Sequence, residues 1–228
     1  MIRVLFEDNH IIVVEKPQNV PSQEDGTGDK DMLNMVKDYI KEKYNKPGNV
    51  YVGLVHRLDR PTGGLMVFAK TSKAASRLSD QIRNHNLEKT YLTVTMGIPK
   101  ENKNRLTNYL LKNERQNRVD VVPMLTTDAK EAVLDYEVMD THLDKYALIK
   151  VNLLTGRSHQ IRVQFRHIKC PVFGDMKYGG ENMPKGYNLA LWCYQLKFSH
   201  PTTKELMTFK SYPDEKSIPW KDFSFKGL

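Results

Sequence analysis

The sequence lacks the segments that several common classes of protein require. It has only two cysteines, Cys170 and Cys193, without C-x-x-C spacing, which argues against a zinc ribbon or a redox pair. No apolar run approaches the roughly 18 residues of a membrane-spanning helix, and the first residues do not form a secretory signal. There is no GxxxxGK(S/T) phosphate loop, no GxGxxG turn and no GxSxG elbow. His159 and His167 also lack the spacing of a metal site, so no metal or cofactor is predicted.

Basic residues outnumber acidic ones, with 35 Lys and Arg against 27 Asp and Glu and a net charge of +8. This balance favours a polyanionic partner, nucleic acid before an anionic membrane surface. Hydrophobic residues make up 39% of the 228 residues, which is typical of a folded globular protein. With two buried free thiols as the default, a cytoplasmic protein is expected.

Short apolar segments with period two predict strands, and apolar residues three or four apart predict amphipathic helices. The strands are expected at 2–6, 11–15, 50–55, 65–69, 87–96, 132–139, 146–154, 189–198 and 205–211, the helices at 32–44, 72–85 and 158–169, and an exposed hairpin or loop at 105–122. Thr71 or Ser72 is expected to cap the second helix. The pattern indicates an α+β fold, with a mixed, mainly antiparallel β-sheet and flanking helices. No repeat or linker divides the chain, so residues 1–228 are predicted to form a single domain.

One constrained loop, residues 56–64, connects two of the predicted strands. It carries a single acid, Asp59, between Arg57 and Arg60, followed by Pro61. The proline restricts the backbone, and the glycine pair at 63–64 permits a positive φ or a close backbone approach. A carboxylate on a rigid, cationic loop can act as a nucleophile or a base. A solvated Asp at the tip of a hairpin is more common, however, and the loop by itself favours that structural role.

Two other segments can contribute to chemistry if they meet this loop. Arg162 shares a predicted helix face with His159 and Arg166, and Tyr91 lies on a predicted strand. An arginine next to Asp59 would keep the carboxylate ionised, and a tyrosine can stack on a base or transfer a proton. A structural Asp–Arg pair with a core tyrosine stays open, because contacts between distant segments do not follow from spacing.

Several segments occur in an order that makes their combination specific. The segment 56–70 reads HRLDRPTGGLMVFAK, and it is preceded by Lys16-Pro17 with Val20-Pro21. It is followed by EKTYL at 88–92, by a segment at 153–175 that contains TGRSHQIR and ends in Gly-Asp, and by LKFSHP at 196–201. Over about residues 2–213, the chain resembles the RluA-type RNA pseudouridine synthases.

The resemblance implies an isomerase that breaks the N1–C1′ bond of a uridine in RNA and rejoins the base through C5. It implies that Asp59 is the catalytic aspartate, which attacks C1′ or acts to form a glycal-type intermediate. Tyr91 would stack on the target base and move a proton from C2′, and Arg162 would pair with Asp59. Arg57 would enter the duplex where the target nucleotide leaves it. The other implied substrate-binding residues are His56, Arg60, Thr62, His159 and Gln160.

The same resemblance implies the fold, a mixed antiparallel sheet with a central catalytic cleft, and no metal or organic cofactor. A stacked base must be flipped out before it can react, and phosphate contacts from a basic protein can offset that cost. The expected partner is RNA, with rRNA preferred and tRNA possible, and the expected protein is a monomer without a membrane. Because the chain begins at the first catalytic strand, we expect no small N-terminal RNA-binding domain. Recognition would then use the segments 105–118 and 23–31.

Four residues depart from the family pattern, although none of them is an implied catalytic residue. Gly63 stands where members usually have Ser, while Gln164, Cys170 and Trp192 each stand where a His is usual. These departures support a second hypothesis, in which the chain is an inactive relative that binds or folds RNA. A third hypothesis is a small-molecule glycosidase, but the sequence shows no evident second carboxylate beside Asp59.

Overall fold

The structure, a computed structural model, describes residues 2–225 and 228. The chain divides into two compact units. The first unit comprises Met1–Glu88 and Cys193–Tyr212, and the second comprises Lys89–Trp192 and Pro213–Leu228. Of the helices in the described residues, none is both long and apolar enough to cross a membrane.

The described residues form eleven strands, three α-helices and one short 3-10 helix. In chain order these elements are β1 (Arg3–Glu7), β2 (Ile11–Lys16), α1 (Met32–Lys43), β3 (Gly53–Leu54), β4 (Gly63–Ala69), α2 (Ser72–Arg83), β5 (Glu88–Met96), β6 (Lys103–Asn113), β7 (Arg118–Val122), β8 (Lys130–His142), β9 (Tyr146–Leu153), α3 (Gln160–His167), β10 (Leu191–Ser199), β11 (Leu206–Lys210) and the 3-10 helix (Trp220–Asp222). The α+β prediction with a mainly antiparallel sheet is confirmed.

In the first unit, β4 is the central strand, and all seven of its residues are buried. β2 pairs antiparallel with β4, β1 pairs antiparallel with β2, and β10 lies between β4 and β11. α2 packs against β4, and α1 buries Val36 and Ile40 of the predicted stripe together with Met32, while Leu33 is only half-buried. Because β4 has neighbours on both edges, the residue that begins it, Gly63, is held in place.

The predicted strand at 50–55 is only partly formed. β3 has two residues, which pair antiparallel with Ala69 and Phe68 at the end of β4. Because β2 pairs along one edge of β4 and β10 lies along the other, only this short pairing has room to form. The residues that follow β3 therefore leave the sheet early and enter the loop that carries Asp59.

In the second unit, the strands follow the order β5-β9-β8-β6-β7, and each neighbouring pair is antiparallel. β6 and β7 form a hairpin where the sequence predicted an exposed hairpin or loop at 105–122. α3 packs against both of them. Its Val163 belongs to a buried apolar cluster that also contains Leu110, Val119, Ala132 and Tyr178. This cluster fixes the position of α3 on the sheet.

The prediction that His159, Arg162 and Arg166 share one face of a helix is wrong. His159 precedes α3 and has a left-handed φ of 52°. The Gln160 side chain explains this start, because its Oε1 accepts hydrogen bonds from Thr155 Oγ1 at 2.8 Å and from Arg157 N at 3.0 Å. These bonds hold the preceding residues in a turn. Within α3, Arg162 is buried whereas Arg166 is exposed, so the two arginines lie in different environments.

Candidate active site

The Asp59 loop, residues 55–62, joins β3 to β4 and is held by hydrogen bonds of its backbone. Ser22 Oγ donates to Leu58 O at 2.7 Å and accepts from Leu58 N at 3.1 Å, and this contact is buried. Thr62 N donates to Asp59 O at 2.9 Å, which closes a turn behind the carboxylate. Asp59 itself is half-buried. The loop therefore presents the carboxylate on a backbone that is fixed from both sides.

His56 ties the same loop to β4. Its ring is buried, and Nε2 accepts a hydrogen bond from Val67 N at 3.1 Å. A ring nitrogen that accepts a hydrogen bond carries no proton, so this contact is made by Nε2 in its unprotonated form. The contact is structural, and the predicted substrate contact of His56 stays a prediction.

Lys16 is a buried lysine next to the Asp59 loop. Its Nζ donates to the carbonyl oxygens of Pro17 and Arg60, both at 2.9 Å, and the residue is inaccessible to solvent. Burial lowers the pKa of Lys16 to about 7, against the opposing effect of the Asp59 charge, and Arg60 lowers it further. In the sequence Lys16 stood out only as part of a Lys-Pro motif. The structure makes it an electrostatic neighbour of Asp59.

The depressed pKa of Lys16 predicts that stability rises with pH between 7 and 10.5, the folded and ordinary values. In this window the unfolded chain keeps a proton that the folded protein has lost. The free energy of unfolding should therefore rise by up to about 1.4 kcal/mol per pH unit. Urea unfolding at about pH 6, 8 and 9.5 measures the slope.

Lys16→Met should lack this part of the pH dependence, because it removes the titrating group. Lys41→Met, which replaces an exposed lysine of α1, is the matched control and should keep it. A slope in Lys16→Met equal to that of the unaltered protein would contradict the assignment.

The other predicted substrate-binding residues of the loop differ in exposure. Arg57 is exposed, as a side chain that enters RNA must be. Arg60 Nη1 donates to Asp25 and Thr27, and its Nη2 donates to Asp29. Thr62 is buried, and its hydroxyl has no hydrogen-bond partner within residues 2–225 and 228. The loop thus offers one exposed arginine and one arginine held by acids.

Gly64 follows the loop at a position that only glycine can occupy without strain. Its φ is 113°, and a Cβ atom would collide with the backbone oxygen of Cys193 on β10 and lie 2.6 Å from its backbone nitrogen. Gly63, the departure from the family pattern, does not have a positive φ. The backbone conformation at position 63 therefore does not require glycine in place of the usual Ser.

In the second unit, Tyr91 lies on β5 opposite Val151 of β9 and is buried. Thr93, two residues along and on the same face, donates from Oγ1 to Ala190 O at 2.7 Å. The backbone on both sides of Tyr91 is paired in the sheet. The strand therefore fixes the position from which the tyrosine ring projects.

Arg162 forms a buried ion pair with Asp175. Its Nε donates to Asp175 Oδ2 and its Nη2 to Asp175 Oδ1, both at 2.8 Å, and the side chains are 6% and 0% exposed. Asp175 Oδ1 also accepts from the backbone N of Lys177 and of Tyr178, each at 3.1 Å. The expected pairing of Arg162 with Asp59 stays a prediction. Asp175 was noted only as the end of a motif, so its role was missed.

Tyr178 extends this buried network to His159. The guanidinium carbons of Arg118 and Arg162 lie 5.2 and 5.1 Å from the centre of its ring. Its hydroxyl accepts from Val119 N at 2.8 Å and lies 2.7 Å from His159 Nδ1. Burial raises the pKa of Tyr178, so the hydroxyl keeps its proton. No sequence signal pointed to Tyr178 beyond its position three residues after Asp175.

Two glutamines of α3 have structural contacts that the sequence did not predict. Besides the two bonds to Oε1, Gln160 donates from Nε2 to Val133 O at 3.1 Å. Gln164, one of the departures, is fully buried and donates from Nε2 to Leu106 O, Asn108 Oδ1 and Ala132 O. The substrate contact predicted for Gln160 stays a prediction, and Gln164 links α3 to β6 and β8.

The predicted site residues divide between the two units. The first unit holds His56, Arg57, Asp59, Arg60 and Thr62, with Lys16 added, and the second unit holds Tyr91, His159, Gln160 and Arg162. Across the described part of the chain, His, Cys, Asp and Glu side chains form no group of three or more that could hold a metal ion.

Comparison with known proteins gives one consistent result. A family model described as RNA pseudouridylate synthase matches residues 10–167. The chain is 34% identical to an uncharacterized RNA pseudouridine synthase of Aquifex aeolicus, covering 92% of this chain and 68% of that protein. It is 31% identical to ribosomal large subunit pseudouridine synthase D of Vibrio cholerae, covering 94% and 68%. It is 28% identical to tRNA pseudouridine synthase C of Haemophilus influenzae, covering 95% of each.

A solved structure, human RNA pseudouridylate synthase domain containing 4, has a similar fold. It matches with a TM-score of 0.77 at 22% identity, over 92% of this chain and 88% of that chain. At this identity the likeness concerns the fold alone.

Proposed function

The chain belongs to the RNA pseudouridylate synthase family, and from this membership we propose that it converts specific uridines of RNA into pseudouridine without a cofactor. The predicted RluA-type family and enzyme class, an isomerase that acts on RNA, are confirmed. Ribosomal RNA is the first proposed substrate and transfer RNA the second, because relatives named for these RNAs are 31% and 28% identical to the chain. A cytoplasmic location, a monomeric state and a single catalytic domain over residues 1–228 stay predictions.

Asp59 is the group that we propose to be essential. The reaction must break the N1–C1′ bond, turn the base, join C5 to C1′, release the proton of C5 and place a proton on N1. An ionised carboxylate can attack C1′ directly or act in forming a glycal-type intermediate, and both routes need its negative charge. The observation that carries the proposal is the half-buried Asp59 on a loop held by Ser22, next to the buried Lys16 side chain.

The other roles are proposed residue by residue from the family resemblance. Tyr91 would stack on the target base and move the C2′ proton, and Arg162 would hold Asp59 ionised. The exposed Arg57 would fill the gap that the flipped nucleotide leaves, and flipping costs a few kcal/mol. The remaining proposed substrate contacts are His56, Arg60, Thr62, His159 and Gln160.

Phosphate contacts are proposed for the exposed β6–β7 hairpin, and a part in target recognition is proposed for the segment 23–31. β6 is largely exposed, and the hairpin carries Arg105, Lys112, Arg115 and Arg118. Several of these cations have exposed acidic neighbours, such as Arg105 with Asp135. Exposed pairs of this kind are weak and leave the cation available to a phosphate.

Release of tritium from RNA whose uridines are tritiated at C5 tests the proposed function. Isomerisation frees the C5 proton, so we expect tritium to enter water from ribosomal or transfer RNA until the target sites are converted. The same RNAs with tritium at C5 of cytidine are the control and should release none. An inactive relative that only binds RNA would release none from either label, and that result with both RNA classes would contradict the proposal.

A further inference from the structure

The exposed segment 23–30, here called the acidic loop, places two carboxylates on Arg60 of the Asp59 loop. Arg60 Nη1 donates to Asp25 Oδ2 at 3.1 Å and to Thr27 Oγ1 at 3.0 Å, and Nη2 donates to Asp29. The Thr27 hydroxyl donates in turn to Asp25 Oδ1 at 2.6 Å. Oxygen atoms of three residues from one short loop therefore surround a single guanidinium.

The acidic loop is fixed at both ends and exposed between them. Ser22 before it is buried against Leu58, and Asp31 after it caps α1 by accepting from Asn34 N at 3.0 Å. All eight residues in between are exposed. Apart from the pairing of Lys30 with Asp38, the described side-chain contacts that leave the loop go to Arg60. Apart from its two chain ends and the Lys30–Asp38 pair, the acidic loop is thus attached to its unit through Arg60.

The chemistry of this contact is that of an arginine with a phosphate. Guanidinium groups bind carboxylate and phosphate oxygens with the same forked donors. We propose that Asp25 and Asp29 occupy Arg60 in place of an RNA phosphate, so that RNA must displace the acidic loop from Arg60 to reach the Asp59 loop. The two acids then act as specificity determinants, because RNA with few other contacts competes with them less well than RNA with many. This inference rests on the proposed function.

The exchange is feasible because the side-chain contacts are exposed while the backbone of the Asp59 loop is not. The side chains of Arg60, Asp25 and Asp29 are 37%, 35% and 56% exposed. Exposed ion pairs are weak, so a phosphate can replace them. The carbonyl of Arg60 is held separately by the buried Lys16. Release of the Arg60 side chain therefore leaves the backbone at Asp59 in place.

Binding of fluorescein-labelled poly(C) RNA tests the proposal, because this RNA has no uridine and cannot react. The double variant Asp25→Asn/Asp29→Asn should lower the Kd by about 3- to 10-fold. The slope of log affinity against log salt concentration should become steeper by about the amount that one phosphate contact contributes. Arg60→Gln should weaken binding. In a protein that already carries Arg60→Gln, the two Asp substitutions should increase poly(C) affinity no more than a charge-matched control does.

The matched control is Asp80→Asn/Glu88→Gln. It removes the same two charges from the first unit and frees two cations elsewhere, since Asp80 pairs with Arg83 and Glu88 with Lys197. Equal tightening in this control would mean that only net charge matters, which would overturn the proposal. If Asp25→Asn/Asp29→Asn had unchanged poly(C) affinity but slower turnover, the acidic loop would only stabilise the Asp59 loop. That result would also overturn the proposal.

The tritium-release assay separates this proposal from the proposed function. If the unaltered protein neither releases tritium nor binds RNA, the proposed function fails and the present inference fails with it. If it releases tritium and the Asp25→Asn/Asp29→Asn variant shows no gain in poly(C) affinity, only the present inference is wrong.

Discussion

Replacement of Asp59 by Asn is expected to lower tritium release from C5-labelled uridine RNA by at least about 10³-fold, while RNA affinity changes by less than about threefold. Asparagine has nearly the same shape as aspartate but no negative charge for reaction at C1′. The hydrogen bonds that hold the loop use backbone atoms with Ser22 and Lys16, so the loop should keep its conformation. The loss should therefore appear in turnover and not in binding or folding.

Single-turnover tritium release and binding to the same RNA measure the two quantities separately. Asp80→Asn, which replaces an exposed acid paired with Arg83, is the control and should retain full turnover. Circular dichroism and urea unfolding should match for the three proteins. If Asp59→Asn kept about a tenth or more of the unaltered rate, the carboxylate would not be the reacting group.

Replacement of Asp175 by Asn is expected to lower the free energy of unfolding by about 3–5 kcal/mol, which is typical when one partner of a buried ion pair is removed. Arg162 is 6% exposed and donates to both oxygens of Asp175. Asparagine offers one oxygen and an NH2 group, so one donor of the guanidinium would face another donor. The charge of Arg162 would also lose its bidentate partner in a place that water does not reach.

The pair of Arg105 with Asp135 is a matched control, because it has the same bidentate geometry at the surface. Arg105 Nε and Nη2 donate to the two oxygens of Asp135 at 2.6 and 2.8 Å, but the side chains are 59% and 39% exposed. Asp135→Asn should therefore cost no more than about 1 kcal/mol. Urea unfolding of both variants gives the comparison. Similar losses of unfolding free energy in the two variants would show that burial does not strengthen the pair of Arg162 with Asp175.

Much of the fold followed from local patterns. The helical spacing of Leu33, Val36 and Ile40 predicted α1, and Thr71 caps α2 as predicted, with its side chain accepting from Ala74 N. These features depend on neighbours along the chain, which a sequence displays directly. The start of α3 was predicted too early, because the turn before it is held by the Gln160 side chain and not by an intrinsic preference.

The candidate site was predicted in part. Asp59, Tyr91 and Arg162 were singled out by their motifs, and the structure places them on a fixed loop, a paired strand and a buried helix face. Asp175 and Tyr178 were missed as functional neighbours of Arg162, although both follow it closely in the chain. Their contact depends on how the chain turns after α3, and the periodicity of a helix says nothing about that turn.

The sequence by itself determined the α+β class, the loop that carries Asp59 and the family to which these motifs belong, since all three depend on residue type and order. Only the tertiary structure decided that Lys16 is buried beside Asp59, that Arg162 pairs with Asp175 and that Asp25 and Asp29 hold Arg60. The strength of a charge pair depends on separation and exposure to water, and neither is written in the spacing of residues. The same Asp59 loop that local chemistry alone assigns to a hairpin tip is, once folded, a half-buried carboxylate next to a buried lysine.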